Sequence, residues 1–304
     1  MSDKYLVHGL DHDPSRVVEA RGHVEAGGFY GTVAIDSFDN RHLPYVDNSV
    51  NLIVAEKPTD VPAREINRVL RPGGVSYLKR NKRWMRQVKP WPADLDQWTH
   101  CLHGPDNNAV ANDAHVGPPR SLQWAGPPAQ ARQHENLASV SAVVSSGGRV
   151  FSIQDESSAA SLLFPAKWFL VARDAFNGVI LWKQSISTWE SHLRPFRMGP
   201  ADLARRLVAI DDRLFVNLGY GKLVCALDAA TGKVLTEYAG TQGACEILCC
   251  DGVLYVVAGQ FQIGGSDVPR RVGQTLAITN KRILALDSQS GRLLWKKSDG
   301  ETSD

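Results

Sequence analysis

Along the second half of the chain, short apolar runs alternate with pairs of turn-forming residues. Val140-Ser-Ala-Val-Val144 and Arg149-Val-Phe-Ser-Ile153 flank Ser146-Gly-Gly148. Arg206-Leu-Val-Ala-Ile210 and Arg213-Leu-Phe-Val216 flank Asp211-Asp212, and Glu246-Ile-Leu-Cys-Cys250 and Val253-Leu-Tyr-Val-Val257 flank Asp251-Gly252. Each set predicts a β-hairpin. Behind each lies a second apolar pair around a recurring motif, Ala172-Arg-Asp174-Ala-Phe-Asn177-Gly178, Ala226-Leu-Asp228-Ala-Ala-Thr231-Gly232 and Ala285-Leu-Asp287-Ser-Gln-Ser290-Gly291. The Asp side chain can hold its own backbone and Gly supplies positive φ, so each motif is also a hairpin turn. Trp182 and Trp295 follow the Gly in two copies, and Thr236 stands at that place in the other. Such a Trp packs its apolar face on a neighbouring unit, and its N–H needs an acceptor.

Two hairpins per repeat make four strands, which is one propeller blade. The blades run over about 138–184, 203–239 and 244–298, with insertions near 155–167 and 259–280. The Ala-x-Asp-x-x-[Asn/Thr/Ser]-Gly-x-x-x-Trp motif resembles the pyrroloquinoline quinone (PQQ)-type propeller repeat. That family includes quinoprotein dehydrogenases and scaffold propellers such as an outer-membrane assembly lipoprotein. Its motif residues here are Asp174, Gly178, Trp182, Asp228, Gly232, Asp287, Gly291 and Trp295, and by the resemblance they lock blades together with or without a quinone. Three blades leave the ring incomplete, since propellers have about 4–8. The expectation is a truncated chain, or one completed by further sequence.

The first 80 residues alternate strand and helix. Tyr5-Leu-Val-His-Gly-Leu-Asp11 reads as a buried strand, Pro14–Ala26 as a helix with Val17, Val18 and Val24 on one side, and Gly31–Ile35 and Val50–Val54 as strands. A short helix carries Glu65–Leu70, Arg71-Pro-Gly-Gly74 reads as a turn, and Val75–Leu78 closes the set. This alternation predicts a doubly wound α/β unit. The fold class is therefore an α/β Rossmann-like partial domain at 1–80, a Trp/Pro-rich linker at 81–137, and all-β propeller blades at 138–304.

The order of Asp11, Asp39-x-x-x-Leu43-Pro-Tyr45 and Arg68-Val-Leu-Arg-Pro-Gly-Gly74 resembles a class I S-adenosylmethionine (SAM)-dependent methyltransferase. The resemblance implies that Asp11 takes the ribose hydroxyls and Asp39 the adenine amino group. It departs from the family in lacking the glycine-rich loop and the first strand, and in having Asn51 where the family has Asp. The whole chain resembles planctomycete-type proteins that fuse such a domain to a PQQ-type propeller. The linker stretch Trp91–Asn108, with Gly117–Trp124, resembles the lead-in to quinoprotein blades.

Charge and candidate ligands narrow the picture further. Lys79, Arg80, Lys82, Arg83, Arg86 and Lys89 form a basic run beside Trp84 and Trp91, but the net charge is only +2. A solvated exit from the last strand is expected there, with no nucleic-acid partner. His100, His103, His115 and His134 lack the companions of a metal site and are expected as hydrogen-bonded packing residues, with no metal. Cys249-Cys250 is an adjacent pair of the kind some quinoproteins place against the quinone, but it sits at a strand end, and PQQ is not expected in this chain. Five cysteines, an odd number, do not make a disulfide framework. No apolar run reaches membrane-spanning length.

Three functions follow. The first is a binding scaffold whose propeller face takes a protein or glycan partner. The second is a SAM-dependent methyltransferase whose propeller docks the substrate, and the third is a PQQ-dependent oxidoreductase. SAM chemistry points to the cytoplasm; the propeller, the better-preserved half, points to the periplasm or cell envelope.

Overall fold

The computed structural model describes residues 5–56, 61–114, 122–128, 139–158, 160, 164–189, 203–261 and 278–299. Two compact units divide the chain: Met1–Ala93 with Ser121–Gln123, and Asp94–Arg120 with Trp124–Asp304. Among the described residues no helix is long and apolar enough to cross a membrane.

In the first unit, β1 (Val7–Asp11) pairs in parallel with β2 (Val33–Ser37). Between them runs α1 (Pro14–Ala26), opened by Asp13, whose carboxylate accepts from the Ser15 N–H, and by Pro14 in the first turn. β3 (Val50–Ala55) pairs in parallel with β4 (Leu70–Arg80) across α2 (Ala63–Val69), and β5 (Arg83–Val88) lies antiparallel to β4. The strand–helix alternation is present, but the strands form two separate sheets, β1-β2 and β3-β4-β5. Among the described residues, these strands do not join into one continuous doubly wound sheet.

Four further expectations are corrected in this unit. β1, expected to be buried, is exposed at Val7 because β2 alone flanks it. Val17 is buried while Val18 faces solvent, since consecutive helix positions turn by about 100°. Arg71–Gly74 is not a free turn: it lies inside β4 as an irregularity, with Gly73 at φ 72° and the Gly73 N–H and Gly74 C=O both bonded to the Lys89 backbone. The basic run is not an exit loop. Asn81 and Lys82, both at positive φ, turn a hairpin that carries β5, with Tyr77 stacked on Trp84. That pairing extends the first unit past residue 80.

The second unit holds three four-stranded antiparallel sheets, each in simple meander order. The first comprises β6 (Val140–Ser146), β7 (Arg149–Asp155), β8 (Trp168–Asp174) and β9 (Ile180–Ser185). The second comprises β10 (Leu207–Ile210), β11 (Arg213–Asn217), β12 (Val224–Asp228) and β13 (Val234–Tyr238). The third comprises β14 (Ala244–Cys250), β15 (Val253–Phe261), β16 (Ile278–Asp287) and β17 (Leu293–Ser298). The middle blade is apolar on both faces. Leu207, Ala209, Leu214 and Val216 pack with Phe151, Ile153 and Leu170 of the first blade. Val208, Phe215, Val224 and Ala226 pack with Ile247, Leu254 and Val256 of the third. Burial on both faces explains why its strands read as continuous apolar runs rather than alternating ones.

The repeat motif links these sheets. Asp174, Asp228 and Asp287 each accept backbone N–H groups of their own turn through Oδ1, and each C=O takes the N–H of Gly178, Gly232 or Gly291. The residue after each Asp offers its carbonyl to an aromatic donor from the preceding element. Trp124 Nε1 reaches Ala175 O at 2.9 Å, Trp182 Nε1 reaches Ala229 O at 3.0 Å, and the Tyr238 hydroxyl reaches Ser288 O at 2.5 Å. Tyr238 thus supplies the hydrogen bond that Thr236 cannot, while the Thr236 methyl covers Gly291. Trp295, last in the series, is 48% exposed.

The tryptophans require the glycines. A Cβ on Gly232 would lie 2.8 Å from the Trp182 ring, whereas one on Gly252, at a similar φ of 76°, meets open space. Gly252→Ala is therefore expected to cost only the left-handed backbone strain, about 1–2 kcal/mol. Gly232→Ala should lose about 1–3 kcal/mol more through overpacking. Urea denaturation of the two variants measures the difference.

Candidate functional site

The inner edge of each blade is its first strand, β6, β10 or β14, and the lead-in segment runs across all three. Trp98 O accepts from Ser145 N at 2.6 Å, Thr99 O from Ala209 N at 2.9 Å, and His100 Nε2 from Cys249 N at 3.1 Å. Gln97 adds an acceptor for Gly147 N at 2.6 Å. Consecutive residues therefore satisfy the open edges of successive blades. The backbone turns back at His103, which sits at φ 72° and places its Nε2 2.7 Å from Asp96 Oδ2.

This arrangement accounts for the two described histidines of the predicted four. His100 is buried, and because its Nε2 accepts, the imidazole is neutral with its proton on Nδ1, facing Thr99 Oγ1 at 2.8 Å. Burial pulls its pKa down to about 4. His115 and His134 lie outside the described residues. Among the described residues no three His, Cys, Asp or Glu side chains gather as a metal set.

In the first unit, a cavity of about 460 Å³ is lined by His8–His12, Phe38, Asn40, Tyr45 and the length of β3. Asp11 reaches it. One carboxylate oxygen of Asp11 accepts from Asp13 N at 2.9 Å, and Arg16 stands 3.8 Å from the other. Asp39 does not line it. Its Oδ1 takes the Arg41 and His42 N–H groups and its Oδ2 lies 2.6 Å from His42 Nδ1. These bonds, the His42 N–H first, hold the Asp39 carboxyl far below the usual carboxylate range. Of the two carboxylates implied for SAM, Asp11 lies on the cavity and Asp39 is engaged within its own turn. The neighbouring Leu43–Tyr45 stretch is fixed from α2. Arg68 donates to Leu43 O and Tyr45 O, and Glu65 accepts from Leu43 N. Charge alternation on α2 was the available signal for that pair.

Cys249 and Cys250 point to opposite faces of β14, as adjacent strand residues must. Cys249 is buried and its thiol is pushed up to about 11 by burial; Cys250 lies beside Asp251. All five cysteines are free thiols.

A second concavity, about 430 Å³, opens between the second and third blades. The β11–β12 loop supplies Tyr220 and Gly221, the β13–β14 loop Gln242 and Gly243, and the ends of β15 and β16 supply Gly259, Gln260 and Arg282. Gly243 and Gly259 let two backbones approach closely: a Cβ on Gly243 would fall 2.1 Å from Gly259 O. Arg282 donates to Gly240 O at 3.0 Å and Gln242 O at 2.7 Å. Its charge thus faces carbonyls beside an open cleft. Neither this cleft nor Arg282 stood out in the sequence, because two loops and two strand ends far apart in the chain build it.

Comparison with known proteins bears on the blades. Residues 169–304 match the family profile described as outer membrane protein assembly factor BamB, a PQQ-type repeat profile that this region resembles. No curated protein matches the chain. Among solved structures, BamB from Moraxella catarrhalis aligns at 18% identity and TM-score 0.28, covering 50% of this chain and 33% of that one. The computationally designed Ika8 protein aligns at 15% identity and TM-score 0.32, covering 55% and 38%. Quinohemoprotein alcohol dehydrogenase from Comamonas testosteroni aligns at 15% identity and TM-score 0.31, covering 55% and 21%. The chain spans about a third of the BamB structure it matches.

The neutral His100 makes a pH prediction. The unfolded chain takes up its proton from the ordinary value of 6.5 downwards, whereas the folded protein resists until about 4. Stability is therefore lost as pH falls through that window. The urea midpoint is expected to drop between pH 7 and pH 4.5. His100→Gln keeps an acceptor for Cys249 and should show a smaller drop.

Proposed function

We propose that the blades act as a binding scaffold for a protein partner, contacted through the Gly-rich cleft around Arg282. The observation that carries this reading is the fate of the repeat residues. The motif Asp and Gly residues are consumed within their own turns, and Trp182 holds the following turn. The cleft beside them gathers Gln242, Gln260 and Arg282, polar side chains suited to carbonyl or carboxylate groups of a partner. The name of the matched family, an outer membrane protein assembly factor, supports a protein partner and an envelope location over a glycan.

A second reading is SAM-dependent methyl transfer in the first unit, with the propeller docking the substrate. The position of Asp11 on the cavity favours it. Micromolar calorimetric binding of SAM that Asp11→Ala abolishes would support this reading; absence of binding by the folded chain would remove it.

The scaffold reading is tested by cross-linking the full chain to envelope proteins and comparing wild type with Arg282→Glu. Loss of the charge-assisted contacts is expected to weaken specific capture about tenfold, equivalent to about 1.4 kcal/mol, beside a lower unfolding temperature from the lost bonds to Gly240 O and Gln242 O. Equal capture by both proteins would show that the cleft is not the contact surface.

A further inference from the structure

The three blades repeat one plan, so a residue that departs from its counterparts stands out against them. Three positions before the motif alanine, the first blade has Phe169, the second Leu223 and the third Arg282. Phe169 and Arg282 stand at equivalent points of the ladder, opposite Gln154 of β7 and Ala258 of β15. An apolar side chain therefore serves the blade at this place. The cation belongs to the third blade alone, where it lines the cleft of about 430 Å³.

The local bonds of Arg282 account for its position but not for its charge. Nε and Nη2 donate to Gly240 O, and Nη2 also donates to Gln242 O. Carbonyl dipoles orient a guanidinium without neutralising it, and among the described residues no carboxylate pairs with it. These bonds leave Nη1 unused. No Asp or Glu lines the cleft. Gln260 Oε1 already accepts from Asn280 Nδ2 at 3.0 Å, so its NH2 is the group it has left to offer. Gly221, Gly243 and Gly259 put no side chain in the way of an entering group. The cleft thus joins a positive charge without a counter-ion to an uncommitted amide donor.

We infer that this cleft selects a carboxylate: an Asp or Glu side chain on an exposed segment of the partner protein. One oxygen meets Arg282 Nη1 and the other meets the Gln260 amide. The inference rests on the scaffold reading of the blades and adds which group of the partner is recognised. A single guanidinium matches the single charge of a carboxylate. A phosphate monoester carries about −1.5 to −2 and is ordinarily met by a cluster of arginines. Hydrogen bonds between ionised groups are roughly twice as strong as neutral ones, so the cleft separates Glu from its neutral isostere Gln.

The test titrates the full chain with the end-blocked peptide Gly-Ser-Glu-Ser-Gly and follows backbone amide signals by NMR. Shifts are expected at Gly221, Gln242, Gly243 and Gly259. The same peptide with Gln in place of Glu should bind about tenfold more weakly, and added salt should weaken the Glu peptide alone. Arg282→Gln should remove the preference for Glu. The peptide comparison and the salt series use the unaltered protein, so they decide the matter even where Arg282→Gln folds poorly. No binding, equal binding of the two peptides, or shifts elsewhere on the blades would overturn the inference. So would tighter binding of inorganic phosphate than of the Glu peptide, which would make the cleft a phosphate site. Failure of the peptides beside Arg282-dependent capture of envelope proteins would overturn the carboxylate assignment and leave the scaffold reading standing.

Discussion

A strand at the edge of a sheet leaves every second N–H and C=O without a partner, and the second unit is organised around that deficit. Its blades meet at their inner edges, where β6, β10 and β14 run close together and water cannot serve all three. Trp98, Thr99 and His100 supply the missing acceptors in order. Each such bond contributes about 1 kcal/mol, but an edge left bare and buried costs more than the bond gains. The segment ahead of the blades is thus part of their fold. At the other edge of the first and second blades, Trp182 and Tyr238 reach the next blade's turn, so these neighbours are joined at both edges.

Much of this was legible in the sequence, for a physical reason: hairpin turns are local. Asp, a small polar residue and Gly at fixed offsets determine a turn within a few residues, so Asp174, Asp228 and Asp287 could be placed without tertiary information. The α/β start was legible as an order of elements but not as a sheet, because pairing between β1 and any central strand is a long-range event. Asn81-Lys82 was obscured by the surrounding positive charge, which suggested a solvated loop rather than a tight turn. Arg71–Gly74 read as a turn because Pro and Gly punctuate chains, yet Lys89 draws it into β4. The bond from Cys249 to His100 spans 149 positions, and no local pattern announces it.

The candidate sites show the same division. Asp11 was placed at a strand end and does reach a cavity, whereas Asp39 was matched by motif and is held by its own turn. A motif gives the residue type and spacing, but whether an oxygen is free depends on the N–H groups that arrive first. The substitution at Thr236 carries a related lesson. The tryptophan is absent, yet its acceptor carbonyl on Ser288 is still satisfied, by Tyr238 from two residues further along. The requirement lies in the buried carbonyl and the glycine beneath it, and more than one side chain can meet it.

The lead-in segment also acts as a gauge. Trp98 and Thr99 meet the first two inner edges through their backbone carbonyls and the His100 imidazole meets the third, so consecutive residues serve successive blades. The three residues at the contacts, Ser145, Ala209 and Cys249, all carry small side chains. An inserted or deleted residue between 98 and 100 would leave every side chain of the blades intact and yet put each edge out of step with its acceptor. The spacing of the blades is therefore written in three residues that belong to none of them.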